Sequence, residues 1–272
     1  MVIRDRLPAL LALAIPVASG VVWMALAGAP GSYILVNGAS LALACLWILV
    51  GRGPHTATSR HMLAIALLLV MLTPLAVSPA MPSVTGDAVK RWFPLGALSL
   101  HTGMLATPAL CVLAARNRAL AVPILLAALG AAFLQPDAAT GFALCAAAVG
   151  LYNATKDWKL GAVAAAGFLA SINMALRGEL PPQPFVERVV VDAAHPSVFL
   201  AAALALALLA SFVLILKAIP FDRSKRFALA GLLFGFAMTA LMTSYPTPLI
   251  GYGAAPILGF GLALGLHRIP KR

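Results

Sequence analysis

Charge is the scarce component of this sequence. Asp, Glu, Lys and Arg make up only 10% of its 272 residues, against about a quarter in soluble domains. Residues 7–51, 61–86, 92–115, 119–136, 138–155, 160–176, 193–216 and 227–267 contain none of them. A water-soluble fold needs polar surface over its core. A chain that is 62% hydrophobic, with a mean hydropathy of +0.99, has too little of it. Lipid, by contrast, accepts apolar side chains on the outer faces of helices. Cysteine is scarce too. Cys45, Cys111 and Cys145 all lie within apolar stretches, so they read as small buried residues, with neither a disulfide framework nor metal-ligand spacing.

What remains is a series of apolar segments, each long enough for a helix of the roughly 17–25 residues that crosses a bilayer. The two longest are broken by turn signals at Gly28-Ala29-Pro30-Gly31-Ser32 and Ser244-Tyr245-Pro246-Thr247-Pro248. A spanning β-barrel would alternate apolar and polar residues. Runs such as Phe199-Leu200-Ala201-Ala202-Ala203-Leu204 do not alternate and favour helix. The sequence therefore predicts an all-α, polytopic membrane helical bundle of about ten transmembrane helices. The expected spans are 8–28, 31–50, 61–80, 97–115, 119–135, 138–154, 159–176, 195–218, 226–244 and 249–267, forming a single domain over 1–272. The basic N-terminus followed by an apolar run, without a cleavage site, reads as a retained first helix.

The net charge of +11 raises a nucleic-acid reading, which the distribution of the charges rejects. With the N-terminus inside, the inner segments hold 15 basic residues against Asp5, Asp157 and Asp222. Arg4, Arg6, Arg52, Arg60, Lys217, Arg268, Lys271 and Arg272 are among them. The outer loops hold only Lys90, Arg91, Arg177 and Arg188, against five acids. This is the bias that orients membrane helices, here with both termini inside and membrane lipids as the solvent.

Polar residues at helix ends or within the bundle are then the candidates for function. Asp137, in a very short outer turn, suits either the N-cap of the helix starting near 138 or, with a raised pKa, a base. Lys90-Arg91-Trp92 reads either as an interfacial anchor or as a cationic phosphate clamp beside an aromatic. His101 and His195 stand near the starts of spans, where lone histidines are usually structural. Glu179 and Glu187, in a Pro-rich outer loop, read as solvated. Tyr252, between Gly251 and Gly253, reads as close helix packing or as cavity lining.

At these residues the chain resembles the SEDS family (shape, elongation, division and sporulation), the FtsW/RodA type, over about residues 60–268. Arg91-Trp92-Phe93-Pro94-Leu95-Gly96 is similar to the family's Arg-Trp-aliphatic-x-Leu-Gly. It runs into Leu98-Ser99-Leu100-His101-Thr102-Gly103, where members usually read Gln-Pro-Ser-Glu. Gln135-Pro136-Asp137-Ala138-Ala139-Thr140 resembles Gln-Pro-Asp-x-Gly-Thr, and Pro248-Leu249-Ile250-Gly251-Tyr252-Gly253 resembles Pro-Phe-x-Ser-Tyr-Gly. The resemblance implies a peptidoglycan glycosyltransferase of the bacterial inner membrane that polymerises lipid II at the outer face, in division or elongation, beside a class B penicillin-binding protein. It implies Asp137 as base, or as ligand to a divalent cation. It also implies Arg91 as a substrate-binding residue, and Lys90, Trp92, His101 and Tyr252 are the further candidates to bind substrate. The chain departs from the pattern at Met104 (usually Glu), Thr107 (usually Lys) and Ser197 (commonly Asp), and its outer loop 177–194 is short. Two further readings stay open: a non-catalytic scaffold that binds lipid II or a penicillin-binding protein, and a flippase of lipid-linked precursors.

Overall fold

A computed structural model describes residues 2–96 and 98–267, without the side chains of Val2 and Ile3. Arg268, Lys271 and Arg272, assigned above to the inner face, and Ala97, at the expected start of the fourth span, lie outside the described residues. The chain runs α1 (Val2–Leu26), α2 (Gly31–Val50), α3 (Ala57–Val77), β1 (Met81–Pro82), β2 (Ala88–Val89), β3 (Trp92–Leu95), β4 (Leu98–His101), α4 (Thr102–Arg116), α5 (Arg118–Leu134) and α6 (Ala138–Thr155). It continues with α7 (Trp158–Gly178), α8 (Val189–Ala194), α9 (Val198–Val213) prolonged by a π turn (Leu214–Ala218), α10 (Arg223–Met242) and α11 (Ala254–Gly265).

Each of the ten expected spans corresponds to one long helix, with α9 and its π turn counted as one. Seven are long and apolar enough to cross a membrane, and α4, α5 and α11 are shorter apolar helices. The chain is a polytopic helical membrane protein. Short polar side chains start the helices: Thr56 with Ser59 forms a capping box on α3, and Asn117, Asp157, Ser197 and Asp222 cap α5, α7, α9 and α10. Leu35, Leu169 and Phe199 are exposed, the last at 89%, which lipid tolerates and water would not. The interior instead gathers α4 and α11, most of whose residues are buried: α4 packs on α3, α5, α10 and α11, and α11 packs on α2 as well.

Two departures from the expected spans matter for function. The fourth helix begins at Thr102, because Trp92–Leu95 and Leu98–His101 pair as an antiparallel hairpin (Trp92 opposite His101) turning at Gly96, φ +60°. The last helix begins at Ala254, because 244–253 forms an extended loop carrying Pro246 and Pro248, which cannot donate backbone hydrogen bonds. That loop and the segment 183–189 pair: Thr247 N donates to Val186 O (2.8 Å) and Tyr252 N to Phe185 O (2.7 Å). On the inner side Arg6 is buried rather than free. It donates to Ile48 O and to Gly51 O (2.9 Å), satisfying carbonyls at the end of α2.

Helices α6 and α10 pack at backbone distance. A Cβ on Gly235 would stand 2.5 Å from Ala143 Cα. Gly235→Val is therefore expected to force the pair apart and destabilise the bundle by about 1–3 kcal/mol. A thermal unfolding midpoint in detergent equal to that of the wild type would contradict this packing account.

Candidate functional site

Three of the four motif segments meet at the expected outer end of the bundle around one buried ion pair, and the fourth lines the cavity beside it. Asp137 caps α6, its Oδ1 accepting from Thr140 N at 3.2 Å. Arg91 Nη1 lies 3.9 Å from that oxygen, and both side chains are 1% exposed. Arg91 also donates through Nη2 to Gly178 O at 2.6 Å, at the end of α7. Its guanidinium lies 4.9 Å from the Trp92 ring and 4.6 Å from the Tyr245 ring. Such placement over aromatic faces steadies a buried cation. The Tyr245 hydroxyl in turn accepts from Ala138 N at 3.3 Å.

His101 completes the cluster. It caps α4, its Nδ1 accepting from Met104 N at 3.2 Å. With Nδ1 an acceptor, the neutral ring carries its proton on Nε2. Nε2 faces Asp137 Oδ2 at 3.5 Å. Burial holds the imidazole pKa below its usual value, with Asp137 opposing that shift. Gly103 keeps this space clear. A Cβ there would lie 2.1 Å from Thr140 Oγ1 and 2.8 Å from Asp137 Oδ2.

Beside the cluster lies a cavity of about 290 Å³, lined by Tyr33, Trp92, Ser99, His101, Met104, Gln183 and Tyr252 among others. Of the candidates read from sequence, Trp92, His101 and Tyr252 line it. Asp137, Arg91 and Lys90 do not. No Lys, Arg, Asp or Glu among the described residues lines it. His101 and Trp92 thus belong to both cavity and cluster. Tyr252 stands on another wall, its ring stacked on Tyr33 (3.6 Å between centroids, 7° between planes).

A divalent cation does not fit the cluster. Asp137 and His101 supply two donors, no group of three His, Cys, Asp or Glu occurs among the described residues, and the positive partner of Asp137 is already Arg91.

Two residues gain roles that the sequence did not signal. Glu187, read as solvated, is 6% exposed. The loop folds inward, Glu187 bridges to Pro246, and its Oε2 accepts from Gln183 N at 2.6 Å. Tyr245, read only as part of a turn, packs on Arg91. The departures from the family pattern serve local tasks. Thr107 Oγ1 donates to Gly103 O (2.7 Å), Ser197 caps α9, and Met104 is a buried cavity wall. His195 is exposed.

Arg91→Met leaves a buried carboxylate without its countercharge and is expected to cost about 3–5 kcal/mol. Adding Asp137→Asn, which keeps an N-cap acceptor, should recover part of that loss. Strictly additive unfolding energies in this double-mutant cycle would refute the pairing. Glu187 makes a pH prediction. Burial pushes its carboxyl from an ordinary 4.5 up to about 7, against the Gln183 N–H and the Arg91 charge. A raised folded value means its contribution is intact below pH 4.5 and lost as pH rises through about 7. His101, with a lowered value, runs the other way and loses its contribution as pH falls below 6.5. Unfolding midpoints of Glu187→Gln should therefore fall less steeply than the wild type's between pH 4.5 and 7. Parallel profiles would refute the assignment.

No family model matches the chain, and no curated protein matches it in sequence. Solved structures match it in fold. A crystal structure of an aspartate-to-alanine variant of the Thermus thermophilus rod shape determining protein RodA gives a TM-score of 0.66. It is 18% identical and covers 95% of this chain and 94% of that one. The unsubstituted RodA gives 0.60 at 20% identity, covering 95% and 93%. A peptidoglycan synthase complex, described as coordinating polymerization and crosslinking, gives 0.59 at 20% identity, covering 94% and 95%. Over nearly its whole length, this chain has the SEDS-like fold of RodA.

Proposed function

We propose that this chain works in peptidoglycan synthesis at the outer face of the inner membrane, where it binds lipid II without polymerising it and supports a class B penicillin-binding protein. The observation that carries this reading is the burial of Asp137 and Arg91, each 1% exposed and neither lining the cavity. A general base must come within about 2.6–3.2 Å of the proton it removes, directly or through one water. In this arrangement the cavity meets His101, whose two ring nitrogens are turned to Met104 N and Asp137. The uncharged, aromatic and hydroxyl-bearing lining suits a saccharide. The likeness to a synthase complex that couples polymerisation with crosslinking supports the partner class.

A second reading is favoured by one distance. Asp137 stands directly behind His101, at 3.5 Å, a single side chain from the cavity. With the imidazole swung aside, Asp137 would take the proton of an acceptor sugar hydroxyl. The hydroxyl oxygen would bond to the donor's anomeric carbon, the bond from that carbon to the diphosphate would break, and the diphosphate would leave with the electron pair. Arg91 would steady the leaving charge. This is lipid II glycosyl transfer.

Purified chain reconstituted in liposomes with lipid II separates these readings. Saturable binding without glycan strands is the expected result. Strand formation lost by about 10²–10⁴ in Asp137→Asn would overturn it and establish glycosyl transfer with Asp137 as base. Passage of labelled lipid across the bilayer without polymer would overturn both in favour of a flippase.

A further inference from the structure

Asn37 is the polar residue buried most completely in α2, at 0% exposure within an otherwise apolar span. Both ends of its amide are used on one loop. Nδ2 donates to Gly251 O at 2.9 Å, and Oδ1 accepts from Gly253 N at 3.0 Å. These bonds flank Tyr252 on either side. Tyr33 precedes Asn37 by four residues, so the two share a face of α2. The same helix face therefore holds the Tyr252 backbone and receives its ring, stacked 3.6 Å from Tyr33. A face-to-face pair is not the arrangement that isolated rings favour. Here the amide clamp imposes it, on a wall of the cavity that both rings line.

We propose that the Tyr33–Tyr252 pair, clamped by Asn37, is the platform on which the cavity seats a pyranose ring of its lipid-linked ligand, with the diphosphate held outside. The proposal rests on the lipid-binding reading above and names the part of the ligand that the cavity takes. A pyranose presents C–H groups on its faces and hydroxyls around its rim. Aromatic faces carry partial negative charge and attract those C–H groups. Ser99 and Gln183, exposed on other parts of the lining, and the tyrosine hydroxyls offer partners to the rim. A diphosphate would need cations, and no Lys or Arg among the described residues lines the cavity. At about 290 Å³ the space lies at the small end of ligand pockets, roughly 300–1,000 Å³, and excludes a polyprenyl tail. Asn37 acts as a positioning residue, fixing the platform before the ligand arrives.

The test compares two probes, lipid II and undecaprenyl diphosphate without sugar, binding to full-length protein in nanodiscs by native mass spectrometry. The wild type should prefer lipid II. Tyr252→Ala and Tyr33→Ala should each weaken lipid II binding about tenfold and leave the sugar-free probe unchanged. Tyr252→Phe should retain the preference. Asn37→Leu, which removes both bonds at similar volume, should lose it while holding the wild-type circular dichroism spectrum. The tyrosine variants carry the test on their own if Asn37→Leu fails to fold. A wild type that binds neither probe overturns the lipid-binding reading together with the platform. A wild type that prefers lipid II, with the same preference in both alanine variants, overturns the platform alone.

Discussion

A carboxylate and a guanidinium buried side by side organise the outer end of this protein. Neither charge tolerates burial alone, since each would forfeit its hydration without compensation. Their pairing brings four distant segments together. Asp137 is committed to the first turn of α6, and Arg91 reaches from the approach to the hairpin to the last carbonyl of α7. Tyr245 covers the guanidinium from the loop before α11, and its hydroxyl meets the α6 backbone. His101 adds the start of α4. The cavity lies where these ends meet, so its shape depends on an interaction whose members do not line it.

The spans were legible because absence of charge is a long-range signal. A single Arg or Asp within eighteen apolar residues would have been visible, and the basic loops oriented the rest. What failed to show was anything decided by folding back rather than by composition. Leu98–His101 carries no charge and runs straight into the helix that follows, so the second strand of the hairpin merged with it in the sequence. Glu187 has the neighbours of a solvated loop residue. Only the pairing of its loop with 246–252 buries it. Arg91 beside Trp92 reads in sequence as an interfacial anchor or a phosphate clamp, and its pairing with Asp137, 46 residues on, is not encoded in that local pattern. The motif segments did indicate which residues would meet. The ordering of cluster and cavity, with His101 between them, is a matter of a few ångströms that spacing does not encode. Asn37 went unread in the sequence, though an amide within an uncharged span needs partners and could have been singled out on that ground.

Of the three departures from the family pattern, Met104 lines the cavity and Thr107 and Ser197 do not. Met104 brings an apolar side chain to its wall where a carboxylate is usual. Thr107 turns its hydroxyl back to the carbonyl one turn earlier in α4, so the position faces the helix rather than a ligand. Ser197 spends its oxygen on Leu200 N at the start of α9. Thr107 and Ser197 thus serve their own helices, while Asp137 and Arg91 are held by each other. A site of this kind keeps its frame, because the frame rests on Asp137 and Arg91. The cavity beside it presents rings and hydroxyls rather than charge. Retention of the ion pair and absence of the surrounding charges are therefore compatible: burial requires the two charges to be paired, and only chemistry on a diphosphate would require the charges that are absent.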